Sequence, residues 1–150
     1  MSIKIIAQNK KARFDFEILD TMEAGLVLMG SEVKSLRDGA CNLKDSYISF
    51  RGDEAFLQSA HISEYKPSSY NNHHPERLRK VLLHRHQLNQ LMGSIHEKGL
   101  TCVPLKLYFK KGVVKLEIGL GKGKKQHDKR QSLKKRDVAK ALRQVTRHSK

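Results

Sequence analysis

No apolar run in this chain approaches the ~20 residues that a helix needs to cross a bilayer, so a helical membrane protein is excluded. The first residues hold one short apolar triplet, Ile5-Ile6-Ala7, and then turn basic; they do not read as a secretory signal. Cysteine is almost missing. Cys41 and Cys102 stand far apart with no Cys-x-x-Cys spacing, which fits reduced thiols of a cytoplasmic protein rather than a disulfide framework or a zinc site. Acidic residues are scarce where the chain is most charged: from Lys122 to Lys150 there are two, Asp128 and Asp137, against twelve Lys or Arg.

The marks of an enzyme are missing as well. The carboxylates Glu23, Glu32, Glu54, Glu64, Glu97 and Glu117 are scattered without the spacing of an acid–base pair. His73-His74 and His84-x-His86 are close pairs, but no Cys, Asp or Glu at ligand spacing completes a metal set. They read as loop histidines facing solvent or RNA. Gly119-x-Gly121-x-Gly123 lacks the spacing and the following helix of a dinucleotide site, and reads as a hinge that breaks the last strand. Neither a cofactor nor a catalytic residue is expected.

What the chain has is positive charge. The formal net charge is +15 over 150 residues, and the stretch 122–150 carries +10 of it. A dense cation gains binding free energy by displacing counterions from a polyanion, and nucleic acid is the default polyanion. The division expected is an RNA-binding domain over 1–121 and a basic tail over 122–150. The tail has little to bury and should be disordered when free. Val138, Ala141, Leu142 and Val145 share one helical face, so it can become helical once phosphates neutralise it.

Along the first part, Phe14 to Met29 suggests two strands with a turn at Glu23-Ala24-Gly25. Gly30-Ser31 offers a helix start and Asp38-Gly39 its stop. Ser46 to Phe50 and Glu54 to Ile62 flank a turn at Arg51-Gly52-Asp53, a hairpin. Residues 64–79 read as a long, partly mobile loop. Leu88, Leu91, Met92 and Ile95 keep helical spacing up to a Gly99 cap. Leu100 to Phe109 and Val113 to Leu120 are strands around Lys110-Lys111-Gly112. About six strands and two helices result, a mainly β arrangement best met by a small mixed β-barrel with helices at its ends.

Three stretches then act together: Asn9-Lys10-Lys11-Ala12-Arg13; Glu23-Ala24-Gly25-Leu26 running into Gly30-Ser31-Glu32-Val33-Lys34-Ser35-Leu36-Arg37; and Gly123-Lys124-Lys125-Gln126-His127-Asp128-Lys129-Arg130. Asp45-Ser46-Tyr47 and Arg79-Lys80-Val81-Leu82-Leu83 support them. In this combination and order the chain closely resembles the SmpB family, the SsrA-binding proteins. The resemblance implies a six-stranded antiparallel β-barrel of oligonucleotide-binding-fold type with flanking helices. It implies binding to the tRNA-like domain of transfer-messenger RNA (tmRNA), and delivery of alanyl-tmRNA with elongation factor Tu and GTP to stalled ribosomes. There the tail would occupy the empty decoding site and mRNA channel. A general structured-RNA binder or RNA chaperone is the alternative reading.

Carried over residue by residue, the tmRNA-binding positions would be Asn9, Glu23 and Leu82. Lys10, Lys11, Arg13 and Lys34 would supply cations around them. An Asn amide can brace a base edge, Glu23 can accept base N–H groups or orient a neighbouring cation, and Leu82 would be an apolar platform or part of the core. In the tail, Gly123, Lys124, Lys125, His127, Asp128, Lys129, Arg130, Lys134, Lys135 and Arg136 would meet the decoding centre and channel. His127 would stack on a base, the cations would hold phosphates, and Asp128 would orient them.

Overall fold

The computed structural model describes residues 3–66 and 72–124. In chain order the elements are β1 (Ile3–Gln8), α1 (Lys10–Asp15), β2 (Phe16–Leu26), α2 (Gly30–Arg37), β3 (Cys41–Asn42), β4 (Tyr47–Arg51), β5 (Glu54–Gln58), β6 (His61–Ile62), β7 (Arg79–Leu82), α3 (Arg85–Lys98), β8 (Thr101–Lys110) and β9 (Val113–Gly123). Seven strands form one antiparallel sheet in the order β1-β8-β9-β2-β7-β5-β4, and β3 pairs with β6 apart from it. The sheet curls so that β4 lies against β8 and β1 against β3. Among the described residues no ladder joins β1 to β4. The mainly β class with flanking helices therefore holds, while the sheet has seven strands rather than six and its edges are not hydrogen-bonded to each other.

The core is the inside of this curl. Leu107, Leu116 and Ile118 on the long hairpin, Leu57 on β5, Ile62 on β6, Val81 on β7, Leu36 on α2 and Leu91 on α3 pack there in one cluster. Leu88 and Leu91 are the buried face of α3, which ends at Gly99 in the left-handed region, φ 63°. A glycine adopts that conformation without steric cost.

A second, smaller cluster lies on the outer side, where α1 covers the sheet through Ala12, with Val103, Leu105, Phe16 and Ile18. It exists because β2 and β8 each carry a bulge, between Ile18 and Asp20 and between Pro104 and Lys106. An extra residue reverses the side-chain alternation and increases local twist. Gly119 and Gly121 of β9 fall beneath this cluster. A Cβ on Gly121 would stand 2.9 Å from Phe16 Cβ, and one on Gly119 would stand 2.8 Å from Leu105 Cδ1. These glycines permit close packing inside a continuous strand, and they do not form the expected hinge.

Other expectations need correcting. Glu23-Ala24-Gly25 is no turn, since β2 runs unbroken for 11 residues, each of the three paired with β9. β1, α1 and β7 were not foreseen as elements. The return strand after the hairpin breaks at Ser59, φ 65°, and Ile62 joins the small second sheet. Within 64–79, Asn72 is tied through both amide atoms to the Tyr65 backbone, at 3.0 and 2.9 Å. His73 is buried, with one ring nitrogen 2.9 Å from Ser31 Oγ and the other 2.8 Å from the Ile62 carbonyl. It does not face solvent as expected. β9 continues two residues beyond the expected boundary at 121, and the Lys124 N–H donates to the Asp15 carbonyl at 2.9 Å.

Candidate nucleic-acid interface

Beyond the α1 cover, the outer face of the sheet is open. Register places its side chains in rungs that cross several strands. Ile5 of β1 is opposite Tyr108 of β8, Tyr108 opposite Lys115 of β9, Lys115 opposite Gly25 of β2, and Gly25 opposite Leu82 of β7. One rung to one side, Lys106 faces Glu117 and Glu117 faces Glu23; to the other side, Ile3 faces Lys110 and Lys110 faces Val113. Alternate residues of a strand share a face, so these rungs form one surface.

Glu23 and Leu82, far apart in sequence, meet at one end of it. Together with Gly25, His84, Gln87 and Lys115 they line a cleft of 450 Å³. Leu82 is 48% exposed while its neighbour Val81 is 3% exposed. Leu82 is thus outside the core, and the inward position of the apolar run belongs to Val81. Gly25 lies directly beside Leu82: a Cβ there would be in van der Waals contact with Leu82 Cβ, at 3.4 Å.

Glu23 is not an isolated acid. The Tyr108 hydroxyl donates to its Oε2, and Lys110 Nζ lies 3.4 Å from the same oxygen. The Tyr108 bond, with Lys110 and Lys115 near it, holds the Glu23 carboxyl below the usual carboxylate range although partial burial opposes this. Burial and the Glu23 carboxylate push the Tyr108 hydroxyl up, so it remains a donor. Opposite Glu23, Glu117 takes Lys106 at 3.3 Å and Arg13 at 3.5 Å. Lys106 also stands over the Tyr108 ring at 5.7 Å. Two facing carboxylates would repel; each is offset here by cations. Glu23 thus has a cation, Lys110, beside its carboxylate.

Asn9 has a different position from the one expected. It is 4% exposed and caps α1: its Oδ1 accepts from the Ala12 N–H at 3.1 Å and its Nδ2 donates to the Pro104 carbonyl at 2.9 Å. Both amide ends are engaged and the side chain is buried, so in this arrangement Asn9 acts on the backbone of α1 and β8. It fixes the helix that carries Lys10, Lys11 and Arg13, all exposed. Lys10 and Arg13 line a second cleft of 130 Å³ with Gln8 and Lys106. Lys11 is paired with Asp45, which raises the lysine and lowers the aspartate from their ordinary values. Arg13 links the two regions through Glu117.

Lys34 lies elsewhere. It is exposed on α2 with its ammonium 5.7 Å from the Tyr65 ring centre, and it lines neither cleft. Of the tail positions, Gly123 ends β9 and Lys124 follows it. Lys125, His127, Asp128, Lys129, Arg130, Lys134, Lys135 and Arg136 lie outside the described residues.

Sequence reasoning missed Lys106, Tyr108, Lys110 and Lys115. The alternation Lys106, Tyr108, Lys110 against Leu105, Leu107, Phe109 was the available signal, and it was used only to find a strand. It also missed a buried ion-pair knot. Glu32 accepts from Arg79 Nε and Arg77 Nη2, each at 2.5 Å, and from the Met29 N–H at 2.8 Å. Arg79 donates further to the carbonyls of Ala60 and Pro75. Among the described residues no group of three or more His, Cys, Asp or Glu could hold a metal ion.

Known proteins match this chain over nearly its whole length. The family model for SmpB protein matches residues 6–148. A Bdellovibrio bacteriovorus protein named SsrA-binding protein is 62% identical, over 99% of this chain and 98% of its own. Proteins of the same name from Syntrophobacter fumaroxidans and Enterococcus faecalis are 55% and 50% identical, covering 93% and 98% of this chain and 86% and 96% of theirs. A solved structure described as "tmRNA-SmpB: a journey to the center of the bacterial ribosome" contains a chain that matches with a TM-score of 0.67 at 44% identity, over 85% of this chain and 93% of that one.

Proposed function

This chain belongs to the SmpB family, and from that premise we propose that it binds the tRNA-like domain of tmRNA and delivers it to stalled ribosomes for trans-translation. The observation that carries this on the side of geometry is the convergence of Glu23 and Leu82 in one cleft on an open, lysine-rich sheet face. Structured RNA is recognised by shape and by unstacked bases, for which such a face offers an apolar platform flanked by cations. Lys10, Lys11 and Arg13, held by the Asn9 cap, supply phosphate contacts at its other end. Lys34 adds charge on α2.

The curled sheet is read as an oligonucleotide-binding-fold barrel, with 1–121 as its core domain and a basic tail from 122. Antiparallel strands wrapped around one core, with a helix at the end of the curl, support that reading. Gly123 and Lys124, held at the end of β9, lead into the tail, whose residues Lys125, His127, Asp128, Lys129, Arg130, Lys134, Lys135 and Arg136 enter the decoding site and the empty mRNA channel; an mRNA-filled channel excludes them. This is a binding role in the cytoplasm with no catalytic step. Elongation factor Tu with GTP accompanies the charged tmRNA.

The test compares the full chain with one ending at Lys124, past the last residues paired with β2. Tight binding of both to the tRNA-like domain, against tRNA as competitor, with tagging at a truncated mRNA lost only in the shorter chain, is the expected result. Equal collapse of affinity for every RNA would instead assign general RNA binding.

A further inference from the structure

We propose that the RNA-binding face continues across β9 onto β8, where Lys110 contacts a backbone phosphate and Tyr108 is a positioning residue that holds Lys110 through Glu23. This rests on the RNA-binding reading above and adds two residues to it. The rungs make the extension continuous: Leu82, Gly25, Lys115 and Tyr108 are successive cross-strand partners, with no strand between them that turns away.

Lys110 is built to be shared. Its ammonium lies nearly midway between the two Glu23 oxygens, at 3.5 and 3.4 Å, which is longer than a tight charge-assisted bond of about 2.7–2.9 Å. An ammonium has three donors, and the Lys110 side chain is 41% exposed. Donors therefore remain for a phosphate oxygen. A lysine stem has many rotamers, and ordering it in advance removes that entropy loss from binding.

Tyr108 supplies the order. It is 5% exposed, so its ring cannot swing, and its hydroxyl pins one Glu23 oxygen. Glu23 in turn sits opposite Glu117, an arrangement of like charges that the core does not require. Two carboxylates placed together on a cationic face make sense as posts: Glu117 holds Lys106 and Arg13 while Glu23 holds Lys110. The net charge of the face stays positive, and each cation is aimed.

The experiment uses the full chain and the tRNA-like domain of tmRNA, with affinity measured over a series of salt concentrations. Lys110→Gln should weaken binding roughly three- to tenfold and reduce the salt slope by about one phosphate. Lys98→Gln, which removes the same charge from the exposed end of α3, should change neither. Tyr108→Phe keeps the ring and should weaken binding severalfold in the native background but have no further effect when Lys110 is already Gln. Equal losses for Lys98→Gln and Lys110→Gln would overturn the phosphate contact. Additive losses for Tyr108→Phe and Lys110→Gln would overturn the positioning role. Thermal unfolding of each variant separates misfolding from lost binding. If the native chain itself fails to bind the RNA, the functional reading falls rather than this extension alone.

Discussion

Arg79 is the largest fully buried side chain among the described residues, and it is a cation. Its partner Glu32 is equally inaccessible. Burial alone would raise the Glu32 carboxyl, but Arg77, the Met29 amide and Arg79 outweigh it and hold the group below its ordinary range. The folded state therefore binds fewer protons there than the unfolded one. Its stabilising contribution is complete above a free glutamate value of about 4.3 and is lost as pH falls through the depressed folded value. Glu32→Gln leaves Arg79 buried without a counter-charge and should cost about 3–5 kcal/mol, visible as a lowered denaturation midpoint. Against a typical total of about 5–15 kcal/mol, that is a large share. The same variant should show a weaker loss of stability on acidification than the native chain.

Leu82 gives the opposite prediction. Being half exposed, Leu82→Ala should change stability by no more than about 0.5 kcal/mol while lowering RNA affinity. A stability loss near that of a core leucine, about 2–5 kcal/mol, would put Leu82 back among the core residues. The cysteines show how burial silences chemistry. The Cys41 thiol is pushed up to about 11 and the buried Cys102 to about 12, so both should react with an alkylating reagent at neutral pH much more slowly in the folded chain than after unfolding.

At the scale of elements, β9 is regular while its neighbours β8 and β2 are bulged, and β1 too shifts register between Ile5 and Ala7. Gly121→Ala tests the consequence. The new methyl would meet the Cβ of Phe16 rather than the far end of a flexible chain, so overpacking of about 1–3 kcal/mol is expected in thermal denaturation. A neutral result would mean that α1 and its cluster are loosely seated.

The same bulges explain what could be read from the sequence. α2 and α3 were legible from apolar spacing and a glycine stop, because a helix carries its own signals. The β4–β5 and β8–β9 hairpins were legible from turns at Gly52 and Gly112. β2 was misread because Leu19, at its bulge, interrupts the alternation and Gly25 imitates a turn. β1 was missed because Ile3 and Ile5 face outward on an edge strand and the register shift between Ile5 and Ala7 breaks the alternation that would mark Ile6 and Ala7 as its core side. Of the site, Glu23, Leu82 and the α1 cations came from resemblance. Their meeting, and the part of β8 in it, depended on register that only pairing fixes. The glycines of β9 could not be told from a hinge without knowing what packs on them.

At the scale of the molecule, charge is divided. Residues 125–150 hold ten Lys or Arg and two Asp. A chain ending at Lys124 should lose most of its nonspecific RNA binding and show a much shallower salt dependence with random RNA. Its preference for the tRNA-like domain over tRNA should persist, measured as a ratio at fixed salt. A ratio that falls with the tail would place recognition in the tail.

The pairing order has a kinetic consequence. Ile3 pairs with Lys110 and Phe16 with Gly123, so the first two strands have no sheet partners among the elements that directly follow them in β3 to β6. β2 finds β7 late and β9 last. While the chain is being synthesised β1 and most of β2 have no strand to pair with until the β8–β9 hairpin emerges. Folding dominated by such distant pairings is slow and exposes strands to other chains. The sheet is therefore completed only when β8 and β9 arrive, while the β4–β5 hairpin, the short β7 pairings and α3 can form ahead of them.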